Sequence, residues 1–409
     1  LKKLLIVLVS IIFFGLQIAA PSPTNAATTY SAFEASKIVF QEHFITGNHL
    51  QDSRLKAPHS GANEMRLAED AAFLSVYTYQ AKQKGDSTYT SALSELNKSI
   101  AYLYSKVSTN ESQFKNAFQA PGTGLILQAS IMMKKFNMSD LSAARQDQVN
   151  YLYNNTKSWL NSAYNSTASN GYTFRYNVEH QITTGSGENI KAPFAVNILA
   201  IYAGALALDS DFLFKNYGVN SPTDYPYRND IANIGNYLKA VGFGDYSTEG
   251  RLTNVGGGRD GVGTGYATWV GLGLSQIAHG TVYTQYFSQR PSSTFMTEAE
   301  AVTKGMQTVY ANRSNSLIPS GFYGFAQSSL TDATDVRAEL YALAWTGDQG
   351  AVNWIDSING LVYTNSSEGP VICRVAASDV NDGDTSETNF HRAVSGLTAG
   401  MLNGVSFNN

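Results

Sequence analysis

The stretch Arg66-Leu67-Ala68-Glu69-Asp70-Ala71-Ala72-Phe73-Leu74-Ser75-Val76-Tyr77-Thr78-Tyr79-Gln80-Ala81-Lys82-Gln83-Lys84 decides the fold class. Its apolar residues Leu67, Ala71, Phe73, Leu74, Val76 and Tyr77 recur every three to four positions, which gathers them on one broad helical face. Comparable runs follow at Tyr89 to Val107, Thr123 to Phe136, Ser142 to Thr167, Ala192 to Leu208, Asp230 to Val241, Tyr266 to Ala278, Thr297 to Ala311, Ala333 to Thr346 and Ala351 to Leu361. Clusters of Gly, Asn, Ser, Thr and Asp separate them, the composition of turns. Convincing alternating strands are few. Successive helices joined by loops predict helical hairpins packed side by side, an all-α chain.

Such hairpins either stack into an open solenoid or curl into a ring. A solenoid needs polar capping units at both ends, and none stands out here, so the expectation is an (α/α) toroid, incomplete or closed. No repeat and no Pro-rich or charged linker divides the chain, which predicts a single domain over 27–409. Three long loops, 168–191, 209–229 and 242–265, are expected to form a cleft at one end of the helices.

Lys2 and Lys3 precede an apolar run from Leu4 to Ala20, and a plausible cleavage point follows Ala26. This is the pattern of a secretory signal peptide over residues 1–26, and it predicts a secreted chain with no integral membrane association. The single cysteine, Cys373, can form no internal disulfide, so stability is expected to come from the core. Without the leader the chain carries 26 basic and 32 acidic side chains. That balance disfavours nucleic-acid binding and requires any grip on an anionic partner to be local. A monomer is expected.

The loop Gly256-Gly257-Gly258-Arg259-Asp260-Gly261-Val262-Gly263-Thr264-Gly265-Tyr266 brings a permanent cation and a phenol seven residues apart to the start of an apolar helix. An arginine can hold a carboxylate while a tyrosine trades a proton nearby, and the glycines admit a bulky chain. These are the two tasks of β-elimination on an acidic sugar polymer. Arg259 could equally pair with Asp260, and Tyr266 could anchor the core with Trp269 one turn on. A second polar cluster, Arg175-Tyr176-Asn177-Val178-Glu179-His180-Gln181 and Gly187-Glu188-Asn189-Ile190-Lys191, precedes the apolar helix expected from Ala192. Asn189 could cap that helix, or it could donate a hydrogen bond to a substrate carboxylate and so acidify the neighbouring C5 proton.

Together the two regions resemble the alginate-lyase superfamily of helical-toroid polysaccharide lyases. In that family an asparagine opens a long inner helix and a segment of the form Arg, six residues, Tyr opens another. Glu188-Asn189 before the run to Asp209, and Gly258-Arg259-Asp260 leading through Tyr266 to Ala278, match this over roughly residues 185–280. The resemblance implies β-elimination on a uronic-acid polymer of the alginate or glucuronan kind, with Asn189 and Arg259 stabilising the enolate-like charge. Tyr266 would return a proton to the leaving oxygen, with Arg259 easing its ionisation. Many family members carry histidine directly after the asparagine, where this chain has Ile190, so His180 or Tyr266 itself would be the base. Lys191, Gln181, Trp269 and Tyr176 are the accompanying substrate-binding candidates.

Toroids also carry inverting glycoside hydrolases, and Glu188, Asp245, Glu249 and Asp260 are the loop carboxylates that could form a pair roughly 6.5 to 9.5 Å apart. A non-catalytic carbohydrate-binding protein is the third alternative. No cofactor and no metal are expected. His43 and His49 are not spaced as ligands on one helical face, and Asp379-Val380-Asn381-Asp382-Gly383-Asp384 lacks the glutamate that closes a calcium loop. Cys373 lacks the surroundings of a thiol nucleophile and reads as a small buried residue.

Overall fold

A computed structural model of the chain describes residues 29–51, 55, 62–115, 120–165, 173–174, 180–183, 189–192, 196–217, 225–228, 230–232, 234–235, 272–278, 362–365, 369–372 and 385–408. The expected signal peptide, Cys373, the acidic segment 379–384 and the helices expected between 297 and 361 lie outside them.

Strand β1 (Thr29–Ser31) leads into helix α1 (Ala32–Val39), whose start is fixed by a capping box. The Glu34 amide donates to Ser31 Oγ at 3.3 Å, and the Ser31 amide donates to Glu34 Oε2 at 2.8 Å; two otherwise orphaned donors are satisfied together. A π-helical stretch, Phe40–Thr46, and a short 3₁₀ turn, His49–Gln51, follow. Next come α2 (Ala62–Lys84), α3 (Tyr89–Thr109), a single turn α4 (Glu111–Phe114), α5 (Ala120–Phe136) and α6 (Ala143–Ala163). Two small hairpins, β2 (Tyr164–Asn165) with β3 (Thr173–Phe174) and β4 (His180–Thr183) with β5 (Asn189–Ala192), precede α7 (Val196–Tyr217). Hairpin β6 (Val362–Asn365) and β7 (Gly369–Ile372), helix α8 (Thr385–Asn403) and strand β8 (Ser406–Asn408) complete the described elements.

The packing sorts the helices into two layers. Helix α2 lies between α8 and α5, and α5 lies between α2 and α7. Helix α3 covers α2 and lies beside α6, α6 covers α5, and α1 covers α8. From α1 to α7 outer helices alternate with inner ones, and α8 packs on α2. The two ends of the chain are sewn together by β1 and β8, antiparallel with Tyr30 opposite Phe407. The fold is an (α/α) toroid, as the helical periodicity predicts.

Gln80, near the end of α2, donates to the Met401 carbonyl near the end of α8 at 2.8 Å, so these inner helices run the same way. Their C-terminal ends are closed tightly. Gly85 takes the left-handed conformation (φ +61°) after α2, and Gly404 (φ +74°) does so after α8; glycine adopts this helix-ending geometry without penalty. Short turns then lead from α2 to α3 and from α5 to α6. Among the described residues, the segments that precede α2, α5 and α7 are longer and enter the N-terminal ends of these inner helices, which makes that end the mouth of the ring.

One contiguous core runs from Ala32 to Val405. On the outer side of α2 the rings of Phe73 and Tyr77 stack parallel at 5.8 Å, with Phe44 on Phe73 and Phe40 on Tyr77. Burial pushes the Tyr77 hydroxyl up to about 12, and it shares a 2.7 Å hydrogen bond with Thr88.

Three sequence expectations are corrected. Helix α7 begins at Val196 rather than Ala192, because Pro193 disfavours helical geometry at the residue before it, and Ala192 belongs to β5. The same helix runs on to Tyr217, into the expected loop 209–229; the acidic segment there reads as a turn, but Asp209 is buried among tertiary partners. The loop expected over 168–191 contains β3, β4 and most of β5. The sequence reading also omitted α1 with its π-helical extension, and α8.

Candidate functional site

Helix α2 presents its polar residues in two directions. Asp70 faces outward, fully buried, with His49 Nε2 at 3.1 Å from its Oδ2. His49 follows Asn48, whose φ is +51°, and packs edge-on against Phe44 at 5.3 Å. Its neighbour Glu69, 9% exposed, lines a pocket inside the ring together with Ala68, Ala72, Leu125, Gln128, Met132, Ser395 and Thr398. These residues come from three inner helices, α2, α5 and α8. The pocket has room for about one water molecule.

Beside it, α5 and the helical residues 272–278 are joined by a reciprocal amide pair. Gln128 Nε2 donates to Gln276 Oε1 at 3.1 Å, and Gln276 Nε2 donates back to Gln128 Oε1 at 3.0 Å. Both amides are buried, and each still has a second N–H and a second lone pair to offer. The backbones of α7 and 272–278 come close enough for this because Gly273 faces Ala200 and Gly204 faces the tip of Gln276.

The other buried charges of the described residues serve packing. Asp209 is fully buried and accepts from Tyr153 and from Tyr225 at 2.7 Å, while Lys157 completes an ion pair with it. The Lys157 ammonium lies over the rings of Tyr153, Tyr225 and Tyr227. Burial and then the Asp209 charge push the Tyr225 hydroxyl well above its ordinary range. Glu95 pairs with Lys98 at 2.6 Å. Burial lowers the Lys106 ammonium, and the charge of Glu64 partly offsets this.

Four of the predicted site residues fall in the hairpin at the mouth of the ring, just ahead of α7. Gln181 pairs with Lys191, Thr183 with Asn189, Ile182 with Ile190 and His180 with Ala192. Strand alternation therefore gives Asn189 and Lys191 the same register face as Gln181, and gives His180 the other. Asn189 opens a strand, not the helix, so the capping role weighed for it does not apply. Arg259, Tyr266, Trp269 and Tyr176 lie outside the described residues, as do Glu188, Asp245, Glu249 and Asp260.

No family model matches the chain, and no curated protein does. Solved structures do match in shape. The GH76A α-1,6-mannanase from Salegentibacter sp. HEL1_6 superposes with a TM-score of 0.53 over 91% of this chain and 99% of its own, at 12% identity. An inactive double aspartate-to-asparagine variant of that enzyme, in complex with α-1,6-mannotriose, gives 0.54 over the same shares at 11% identity. A family 105 glycoside hydrolase from C. acetobutylicum ATCC 824 gives 0.52 over 90% of this chain and 98% of its own, at 10% identity. At these identities the likeness is one of fold.

Sequence reasoning passed over Glu69, Asp70, Gln128 and Gln276. The signal was there to find: two adjacent acids inside an apolar helix, and single amides within the apolar runs Leu125 to Met133 and Leu272 to Ala278.

Proposed function

We propose that this chain is a secreted carbohydrate-active hydrolase that cleaves glycosidic bonds of a polysaccharide with a pair of carboxyl groups. The observation that carries this reading is the toroid of inner and outer helices, in which Glu69, a buried carboxylate on an inner helix beside a pocket for about one water molecule, is one candidate carboxyl group. The reading gains support from the overlap in fold with a mannanase and a family 105 glycoside hydrolase over most of the chain. Glu188, Asp245, Glu249 and Asp260 are the candidates for the second carboxyl group. The leader at residues 1–26 supports export to where polysaccharides are met.

The β-elimination reading is retained as the alternative, because the hairpin register sets Asn189 and Lys191 beside Gln181 at the mouth. An amide and an ammonium there suit the neutralisation of a uronate, with Arg259 and Tyr266 completing the chemistry. Since His180 takes the opposite register face from Asn189, this alternative assigns proton abstraction to Tyr266.

Incubation with neutral glucans, mannans and xylans and with uronate polymers separates the two. New reducing ends without ultraviolet absorbance are expected for the hydrolase. Absorbance of an unsaturated uronate product, lost in Arg259→Ala and Tyr266→Phe, would establish elimination instead. No reaction on any polymer would refute both and leave carbohydrate binding.

A further inference from the structure

We infer that the outer wall of the ring carries a second binding site, a row of side chains from Tyr104 to Lys115 that takes an uncharged polysaccharide chain; that ligand is the substrate of the hydrolase reading above, on which the inference rests. Tyr104 of α3 and Tyr151 of α6 meet edge to face between the two outer helices, ring centroids 5.1 Å apart and planes at 80°. Both are half-buried, so each ring is held by its neighbours and still shows part of itself to solvent. The Tyr151 hydroxyl donates to Glu111 Oε1, and the Lys115 ammonium donates to Glu111 Oε2 at 3.1 Å. Lys115 in turn lies 5.7 Å over the Trp159 ring. One connected row of rings and polar groups results. Glu111 and Lys115 stand in the connection from α3 to α5, one of those that enter at the mouth, so a chain lying on the row is led toward the opening of the ring.

The chemistry of the row selects its ligand. The bonds from Tyr151 and Lys115 hold the Glu111 carboxyl below its ordinary range, so it is ionised, and the Lys115 charge balances it. With no net charge the row favours neither an anion nor a cation. Hydrogen-bonding capacity remains: each Glu111 oxygen has a further lone pair, Lys115 has two further N–H groups, and the Tyr104 hydroxyl makes no hydrogen bond among the described residues. Aromatic surface beside a few fixed donors and acceptors suits a sugar, which has an apolar C–H face and a hydroxyl edge. A protein partner would call for aliphatic surface. The exposed neighbours in sequence, Ser105, Ser112 and Ser158, are polar, and among the described residues the one large apolar side chain that is exposed is Ile45, in the π-helical stretch.

The test is affinity electrophoresis of the full chain in native gels holding a soluble neutral glucan, mannan or xylan. Turnover is measured beside it on the polymer and on a short oligosaccharide of the same sugar. The wild type should be retarded by the polymer it cleaves. Tyr104→Ala and Tyr151→Ala should each weaken that binding about tenfold, and Tyr104→Phe, which keeps the ring, by less. KM on the polymer should rise in the alanine variants. Both should turn over the oligosaccharide, too short to reach the row, at the wild-type rate, which also shows them folded. Retardation unchanged in both alanine variants, an active wild type that no polymer retards, or retardation by uronate polymers alone would each overturn the site and leave the hydrolase reading standing. A dimer in gel filtration that Tyr151→Ala dissociates would assign the row to a second copy of the chain and overturn the site as well. A wild type that is retarded but releases no reducing ends removes the hydrolase reading and keeps the site; one neither retarded nor active removes both.

Discussion

Substituting Gly273 by alanine probes how tightly the inner ring is drawn together. A methyl group there would meet the Ala200 carbonyl oxygen at 2.5 Å and the Ala200 carbonyl carbon and Cβ at 2.7 Å each. Two of these three atoms are backbone of α7, so no side-chain rotation relieves the contact, and the helical residues 272–278 must back away. Overpacking of this kind costs about 1–3 kcal/mol, and backbone obstruction puts this case at the upper end. Alanine recovers about 1 kcal/mol over glycine through helix propensity. The net loss should be about 2 kcal/mol, which for a chain of this size lowers the thermal midpoint by roughly 2–3 °C. Urea unfolding followed by circular dichroism would measure it directly. Ala200→Gly in the same background should rescue only partly, because it removes the Cβ contact and leaves the carbonyl. A Gly273→Ala variant as stable as the wild type, or more stable, would refute the close approach of α7 and 272–278.

Further outcomes follow from other buried groups. Asp209→Asn should destabilise by about 3 kcal/mol, since it leaves Lys157 among the tyrosine rings without its counter-charge, and a denaturation cycle with Lys157→Met should recover part of the loss. Asp86 links α1 to the α2–α3 turn, accepting from Lys37 Nζ at 2.6 Å and from the Thr88 amide at 2.9 Å. Burial alone would raise its carboxyl, but these bonds outweigh it and hold Asp86 at about 2, against an ordinary 3.8. Its contribution is therefore complete above pH 4 and lost as the pH falls toward 2; thermal midpoints of Asp86→Asn should show a shallower acid limb in that window. Gly204→Ala should displace the Gln276 amide and unpair Gln128, at a cost of about 1–3 kcal/mol, read as a lowered urea midpoint.

The helices were legible wherever burial on one face imposed a period. Leu67, Phe73, Leu74 and Tyr77 are all buried, and α2 ends at Lys84 as its pattern predicts. Boundaries failed where a neighbour outside the local window decided them. Asp209 reads as a turn former until Tyr153, Lys157 and Tyr225 are brought to it, and Ala192 reads as helix until Pro193 is considered. Helix α8 escaped notice because its N-terminal half, Thr385 to Arg392, is mostly polar, and its apolar half packs on α2 from more than 300 positions away in sequence.

The site follows the same division. Glu69 and Asp70 are adjacent in sequence, and helical geometry turns successive residues by about 100°, so one can line the interior while the other faces His49. Sequence offers no means to say which does which, because the answer depends on whether α5 or the π-helical segment covers that side. Once the ring is closed the distinction has chemical weight. Asp70→Asn should act on stability through His49 and leave catalytic pH dependence in place, whereas Glu69→Gln should act on turnover and leave the fold in place. If instead both substitutions lowered stability equally and neither changed turnover, the pocket on α2 would be part of the core and the reacting carboxyl groups would both have to come from the long connections at the mouth.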